Sequence, residues 1–449
     1  MAIHAASIRL AIAVIALVGF GVCGSAQAHR PKNIKVVESL CSDAVCGNSV
    51  RARMAQDGAG NFFGFMESGG FYDRGAMFKL YREPGKSRWK FATIYNFCHL
   101  LDCRDGEYTE SETPIVDTAG NLYGTTAFGG TYNAGIFFKL TPNWNGRQWK
   151  LTVLYNFCAK DSACHDGGQP IGSLTYQGAS SGALYDGSSP LYGANEVGGA
   201  HGSGVVFSLT QRFGRWHEQQ LYAFCSEGGD SCTDGRIGRD FSLDGSGDLI
   251  GVGYRANPDN VNGFVFKLAP NSGSRFWTQT ILHNFCSLAN CADGSGPAGG
   301  IVQDASGNLY GLTSYGGNTN CGHNGGCGVL YRIAPDNSES VLHAFCSRPL
   351  CRDGIFPTGG LLIDSSGILY GAALGGGHYM SANDALGTGT IFKYTGSALD
   401  TLWTFCLSTG CPDGANPTTG LTRGPSGNLF GVTGSGGAHN FGTIYELNQ

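Results

Sequence analysis

Charge is scarce in this chain. Asp, Glu, Lys and Arg together make up 14% of its 449 residues, against roughly a quarter in ordinary soluble domains. No block of basic residues occurs and the formal net charge is −5, which argues against nucleic acid or an anionic membrane as partner. No stretch repeats apolar residues at helical spacing. Beyond the N-terminus no run is continuously apolar, so no membrane span is expected in the mature chain. Phosphate loops, an H-E-x-x-H pair and a dinucleotide fingerprint are missing, which removes the commonest nucleotide and zinc-hydrolase readings. Two partial matches fail on context. Residues 178–182, GASSG, fit G-x-S-x-G, but no helix follows to build a nucleophile elbow. Residues 244–248, DGSGD, lack the rest of an EF-hand's spacing.

Glycine, cysteine and aromatic residues are plentiful instead: 73 Gly, 17 Cys and 11% Phe, Trp and Tyr. That mixture suits many short strands joined by tight turns. The chain opens MAIHAASIRLAIAVIALVGFGVCGSAQA, with Arg9 ahead of an apolar run from Leu10 to about Val22 and small residues at Ala26 and Ala28. This reads as a signal peptide over residues 1–28, cleaved before His29. A lipoprotein reading through Cys23 is weaker, because Val22 stands where such sites take a small residue. Removing Cys23 leaves 17 − 1 = 16 cysteines, an even number in an exported chain, which favours disulfides over metal sites.

The cysteines are periodic. The first of each pair falls at Cys41, Cys98, Cys158, Cys225, Cys286, Cys346 and Cys406, about 60 residues apart, and a fixed period marks a repeat architecture. Each period holds four runs of strand-like alternation. In the fifth they are GGIVQD (299–304), LYGLTSYGG (309–317), GVLYRIAP (328–335) and SVLHAFC (340–346). Four antiparallel strands per unit without helices point to an all-β, seven-bladed β-propeller occupying residues 29–449. The chain ends on a third strand, GTIYELNQ (442–449), and begins after the signal with an orphan fourth, KVVESLC (35–41). Pairing the two would complete the seventh blade and hide the open edges.

The motifs LYxFC…CxDG, GNLYGTT and GG…GxxFKL, recurring over the whole mature chain, resemble the GloVer tandem-repeat family of exported bacterial proteins. That family is named for its choice of C-terminal anchors. This chain stops within its last blade and carries none, so a periplasmic or secreted protein is expected rather than a tethered one. The resemblance implies fold and export; it brings no activity.

The close pairs read as disulfides stapling the crossover from each outer strand to the next inner strand: Cys41 with Cys46, Cys98 with Cys103, Cys158 with Cys164, Cys225 with Cys232, Cys286 with Cys291, Cys346 with Cys351 and Cys406 with Cys411. An eighth, Cys321 with Cys327, sits in a long Gly-rich loop of the fifth copy. A loop of about six residues gains roughly 2 kcal/mol from such a staple in the chain-entropy model. Spacing other than C-x-x-C argues against redox catalysis.

Candidate binding groups concentrate on the face carrying the crossovers and the loops between second and third strands. Six crossovers continue C-x-D-G and place Asp105, Asp166, Asp234, Asp293, Asp353 and Asp413 in a ring, while the first copy reads CGNS. Such carboxylates either cap their own turns or offer a divalent cation such as Ca²⁺ a set of ligands; Asp293, Asp353 and Asp413 are the candidate ligand contacts. The symmetry breaks at histidines in the second loops. His201, His323, His378 and His439 occupy similar places, and the last three fall in consecutive copies. Clustered, they can hold a metal such as Zn²⁺ or act as acid and base. Tyr72, Tyr132 and Tyr379 beside the Gly-Gly loops are candidate ligand contacts. The once-per-blade aromatics Phe63, Tyr123, Tyr192, Tyr310, Tyr370 and Phe430 are expected to pack between blades.

The expected function is binding of an extracellular or periplasmic glycan or protein through that face, with no cofactor. The alternatives are a polysaccharide lyase, hydrolase or lactonase-like enzyme using His323, His378 or His439, and a structural envelope component.

Overall fold

The computed structural model describes residues 34–41, 50, 53–110, 113–226, 232, 234–237, 240–254, 262–323, 325–378 and 386–449; the signal peptide expected at 1–28 lies outside them. Residues from Ile34 to Gln449 form one unit of seven antiparallel sheets arranged as the blades of a β-propeller.

Each blade runs from an inner first strand to an outer fourth. Blade 2 shows how the sequence makes one. Its second strand is Leu122–Thr126, its third Ile136–Pro142 and its fourth Trp149–Asn156. The third reads IFFKLTP with Ile136, Phe137, Phe138 and Leu140 buried. Both of its faces are covered, by the two neighbouring blades. The glycine of the second strand has a packing reason. A Cβ on Gly124 would lie 2.6 Å from the Phe65 ring of blade 1 and 3.2 Å from the Phe138 ring. A methyl group in the LYG motif would push out the aromatic that fills the space between sheets.

First strands are the least regular. They shrink to two residues in blades 1 and 2, Ala55–Gln56 and Ile115–Val116. In blade 5 the first strand is Ser295–Gln303, with a register break between Ala298 and Val302. Near the axis these strands approach closely: a Cβ on Gly299 would meet the Gly360 nitrogen at 2.1 Å. Arg53 donates there to the carbonyls of Gly359 and Leu361, at 2.9 and 3.2 Å.

The ring closes as the ends of the sequence imply. Ile34–Ser39 pairs antiparallel with Thr443–Leu447, with Ile34 opposite Leu447 and Ser39 opposite Thr443. Phe430 of blade 7 packs on Phe62 and Trp89 of blade 1, with ring centres 4.4 and 5.5 Å apart. The once-per-blade aromatics do pack between blades. Phe63 meets Trp149, Tyr123 meets Trp216 and Tyr192 meets Trp277, in each case a tryptophan on, or for Trp277 immediately before, the fourth strand of the following blade. No helix among the described residues is long and apolar enough to cross a membrane.

Strand alternation puts the crossovers and the second-to-third loops on one face. The first-to-second turns and third-to-fourth hairpins lie on the other.

Candidate functional site

The loop-rich face is built on the crossovers. Seven of the eight expected disulfides join described residues: 98 to 103, 158 to 164, 225 to 232, 286 to 291, 321 to 327, 346 to 351 and 406 to 411. Cys41 is disulfide-bonded, while Cys46 lies outside the described residues. Cys98 and Cys103 both adopt left-handed backbone, φ 60° and 48°. Such strain needs an overdetermined loop, and the carboxylate supplies part of it. Asp105, fully buried, accepts the Tyr95 hydroxyl at 2.8 Å and the amides of His99 and Leu100 at 3.1 and 3.0 Å.

The same device recurs. Asp293 accepts the Ser287 amide and hydroxyl at 2.9 and 2.7 Å, and the imidazole of His283 stands 3.4 Å away. Asp353 takes His343 at 2.9 Å together with the Ser347 amide and hydroxyl. Asp413 takes the indole nitrogen of Trp403 at 3.0 Å. Burial would raise the carboxyls of Asp293 and Asp353, but these hydrogen bonds together hold both below the usual carboxylate range. A ring bearing an N–H or O–H sits three residues before the first cysteine in each of these copies: Tyr95, Tyr155, Tyr222, His283, His343 and Trp403. In the copy reading CGNS, Glu38 stands in the donor's place, so acceptor and donor change together.

The Gly-Gly dipeptides seat the second-to-third loops on these crossovers. Gly130 donates to the Cys103 carbonyl at 3.0 Å and Gly377 to that of Cys351 at 2.9 Å. A Cβ on the preceding Gly129 or Gly376 would lie 2.5 or 2.6 Å from the same carbonyl, at φ 78° and 76°.

The histidines occupy separate loops. His201 and His439 are exposed, and His439 faces Glu38, whose carboxyl is raised chiefly by burial. His323 packs edge-on against Phe356, with ring centres 4.8 Å apart. His378 is partly buried; its carbonyl accepts the Thr388 amide at 2.9 Å, and its Nδ1 has no hydrogen-bond partner. Among the described residues, the group of three His, Cys, Asp or Glu close enough to share an ion is Cys98, Cys103 and Glu107, two of which are joined in a disulfide. Tyr72 and Tyr132 are 44% and 52% exposed on the loops of blades 1 and 2, and Phe71 meets Tyr72 edge-on. Tyr379 lies outside the described residues.

One cleft that the sequence reading did not single out opens between blades 4 and 5. It holds about 770 Å³ and is lined by Asn262, Asn290, Ser295, Tyr315, Asn318 and Thr319, with glycine, alanine and Cys291 between them and no charged group among the described residues. Asn262 comes from the loop of blade 4. Asn290 comes from the crossover, Ser295 opens the first strand of blade 5 and Tyr315 ends its second strand, while Asn318 and Thr319 belong to the expanded loop that the Cys321 to Cys327 disulfide folds back. Tyr315 is 41% exposed, and its other edge rests on Phe356 at 5.6 Å. The available signal was the expanded Cys-bounded loop beside a crossover reading LANCADG.

Two carboxylates stand apart from the face. Glu218 and Glu339 occupy equivalent places on the fourth strands, opposite Leu209 and Ile333, where blades 1 and 2 carry Phe91 and Leu151. Burial first, then a neighbouring Asp293, pushes Glu339 up to about 7. Glu218 also reaches about 7 through burial, partly offset by the ion pair with Lys160.

Seven four-stranded blades, stapled at their crossovers and shut by the first strand, define a disulfide-linked β-propeller. The chain matches the Gloeobacter/Verrucomicrobia repeat over residues 176–382 and 319–449 and belongs to that family. No curated protein matches it. Among solved structures it is similar to a polysaccharide lyase of family PL25, an ulvan lyase bound to -[GlcA(1-4)Rha3S]-, at 10% identity and TM-score 0.53, covering 92% of this chain and 96% of that one. It is also similar to PorZ, a surface component of the type-IX secretion system of Porphyromonas gingivalis, at 10% identity and TM-score 0.48 over 91% of this chain. The chain spans about half the length of PorZ, 48%. At 8% identity and TM-score 0.42, Trypanosoma rangeli sialidase is matched over 59% of its length. At these identities the likenesses show the fold alone.

Proposed function

We propose that this protein binds an uncharged stretch of glycan in the cleft between blades 4 and 5. The observation that carries this reading is the lining: a half-exposed Tyr315 ring among amide and hydroxyl groups, with no charged side chain among the described residues. A sugar offers an apolar face and a rim of hydroxyls. An aromatic plate serves the first, and asparagine, serine and threonine serve the second as donors and acceptors. The disulfides on both sides pre-order the loops, which lowers the entropy cost of closing on a ligand. Export, with which the disulfides are consistent, would bring the protein to where glycans are displayed.

A screen of bacterial and plant glycans against the mature protein, followed by titration of the best ligand into Tyr315→Ala, tests the proposal. Loss of a stacking contact is expected to weaken binding about tenfold. No glycan bound, or unaltered affinity in the variant, would overturn it. Turnover of a polysaccharide in the same screen would make the protein an enzyme and move attention to His323, His378 and His439.

A further inference from the structure

The opposite face carries a second feature, independent of the cleft. In blades 5 and 6 the hairpin between third and fourth strands stops early, with Ile333 opposite Glu339 and Tyr394 opposite Leu399. Past the equivalent point the ladder continues in blades 1 to 4. Blade 1 adds Tyr81 with Lys90 and Arg82 with Trp89, and blade 2 adds Thr141 with Lys150 and Pro142 with Trp149. Blade 3 adds three pairs, ending at Arg212 with Arg215, and blade 4 adds Ala269 with Thr278. At about 3.3 Å per residue, three pairs lift the tip of blade 3 by about 10 Å.

What these extended tips present is not what the rest of the surface presents. Trp144 at the tip of blade 2 is 95% exposed, Phe213 at the tip of blade 3 is fully exposed at 104%, and Phe276 at the tip of blade 4 is 41% exposed. Each has arginine within three residues: Arg147, then Arg212 and Arg215, then Arg275, whose guanidinium lies 4.7 Å from the Phe276 ring centre. Blade 1 adds Lys86 and Arg88 at an exposed Pro-Gly turn. Among the described residues none of these cations is in an ion pair. The short hairpins of blades 5 and 6 carry Asp336 and Asp400 instead. Asp57, Asp117 and Asp304 lie on the same face in the first-to-second turns, closer to the axis, where they accept their own turns' amides.

The geometry points to docking of this arc, blades 1 to 4, on an anionic lipid surface. Trp and Phe on protruding tips enter the headgroup region, where an amphipathic ring is favoured, while the arginines beside them meet lipid phosphate bidentately. Convex tips with fully exposed rings have no walls with which to enclose a sugar or a peptide. They suit a soft interface that closes around them. The net charge of −5 says nothing of this arrangement, in which these six cations share one arc and Glu83 of the blade 1 hairpin is paired with Lys90.

The test is co-sedimentation of the mature protein with vesicles of phosphatidylcholine alone and of phosphatidylcholine with phosphatidylglycerol, alongside a soluble polyanion such as heparin. Binding is expected to the mixed vesicles only, and to fall with added salt. Each basic group near such a surface contributes about 1 kcal/mol, so R147E with R212E and R215E is expected to weaken partitioning about a hundredfold or more. Trp144→Ala with Phe213→Ala should weaken it while leaving the melting temperature unchanged, since both rings are exposed. Equal or absent sedimentation with both vesicles would overturn the inference. So would mixed-vesicle binding that these variants leave intact, or heparin binding in place of vesicle binding.

Discussion

The indole nitrogen of Trp403 donates to Oδ2 of Asp413 at 3.0 Å, in the place where a tyrosine hydroxyl or an imidazole serves the other crossovers. Three chemically different rings are therefore interchangeable as long as each carries a donor. What the crossover needs is an N–H or O–H pointed at a carboxylate that also holds the turn's amides.

Removing the carboxylate strands those donors. Asp353→Ala leaves the Ser347 and Arg348 amides and the His343 ring without their acceptor, and is expected to cost about 3 kcal/mol. Thermal unfolding of the purified variant measures it. A melting temperature equal to that of the parent would refute the capping role. Because hydrogen bonds hold the Asp353 carboxyl below its usual 3.8, its contribution is present above that pH. It should fade as pH falls through the lowered folded value, making the protein acid-labile.

Glu339 has the opposite sign. Its folded value near 7 stands above the ordinary glutamate value of 4.5, so its contribution is full below about 4.5 and is lost as pH rises through 7. Glu339→Gln should raise stability at pH 8 by about 1 kcal/mol and leave it nearly unchanged at pH 4. Melting curves at the two pH values decide this; equal shifts at both would mean that the buried carboxyl does not titrate.

Gly376→Ala combines left-handed φ with a Cβ only 2.6 Å from the Cys351 carbonyl. A loss of about 2 kcal/mol is expected, with protease cutting newly concentrated in the loop after it. The control Gly367→Ala, at φ 79° with open space around it, bears the backbone strain alone and should lose less. Equal losses would discard the docking argument.

Deleting residues 34–39 bares the edge of Thr443–Leu447. Lower thermal stability and concentration-dependent aggregation are expected, followed by light scattering. A truncated chain that stays monodisperse with an unchanged melting temperature would mean that the pairing contributes nothing.

The period, the blade and the seam were all legible in the sequence, because each is written locally and repeated. LYG demands a ring packed over its glycine, as Phe138 is over Gly124. The cysteine spacing fixed the staples for the same reason: both sulfurs lie on one short loop. The cleft was not legible. It joins Asn262, Asn290 and Tyr315 from three segments, and only the packing of two blades shows that they share a concavity. The histidines hold similar loop positions in consecutive blades, and equivalent loops stand a blade apart, a separation that spacing along the chain does not express. A count of charge along the chain carries no direction, so it could not show that exposed rings and arginines share four hairpins facing one side.

The seam sets an order of assembly. Ile34–Ser39 leaves the ribosome before any blade and finds its partner, Thr443–Leu447, only when the last residues have appeared. For the length of that wait no circle exists. Each sheet must persist as a separate link, clasped by a sulfur bond that spans five to seven positions and requires nothing from downstream. Oxidation can therefore proceed blade by blade as the polypeptide emerges, leaving a chain of finished links that needs a single late clasp.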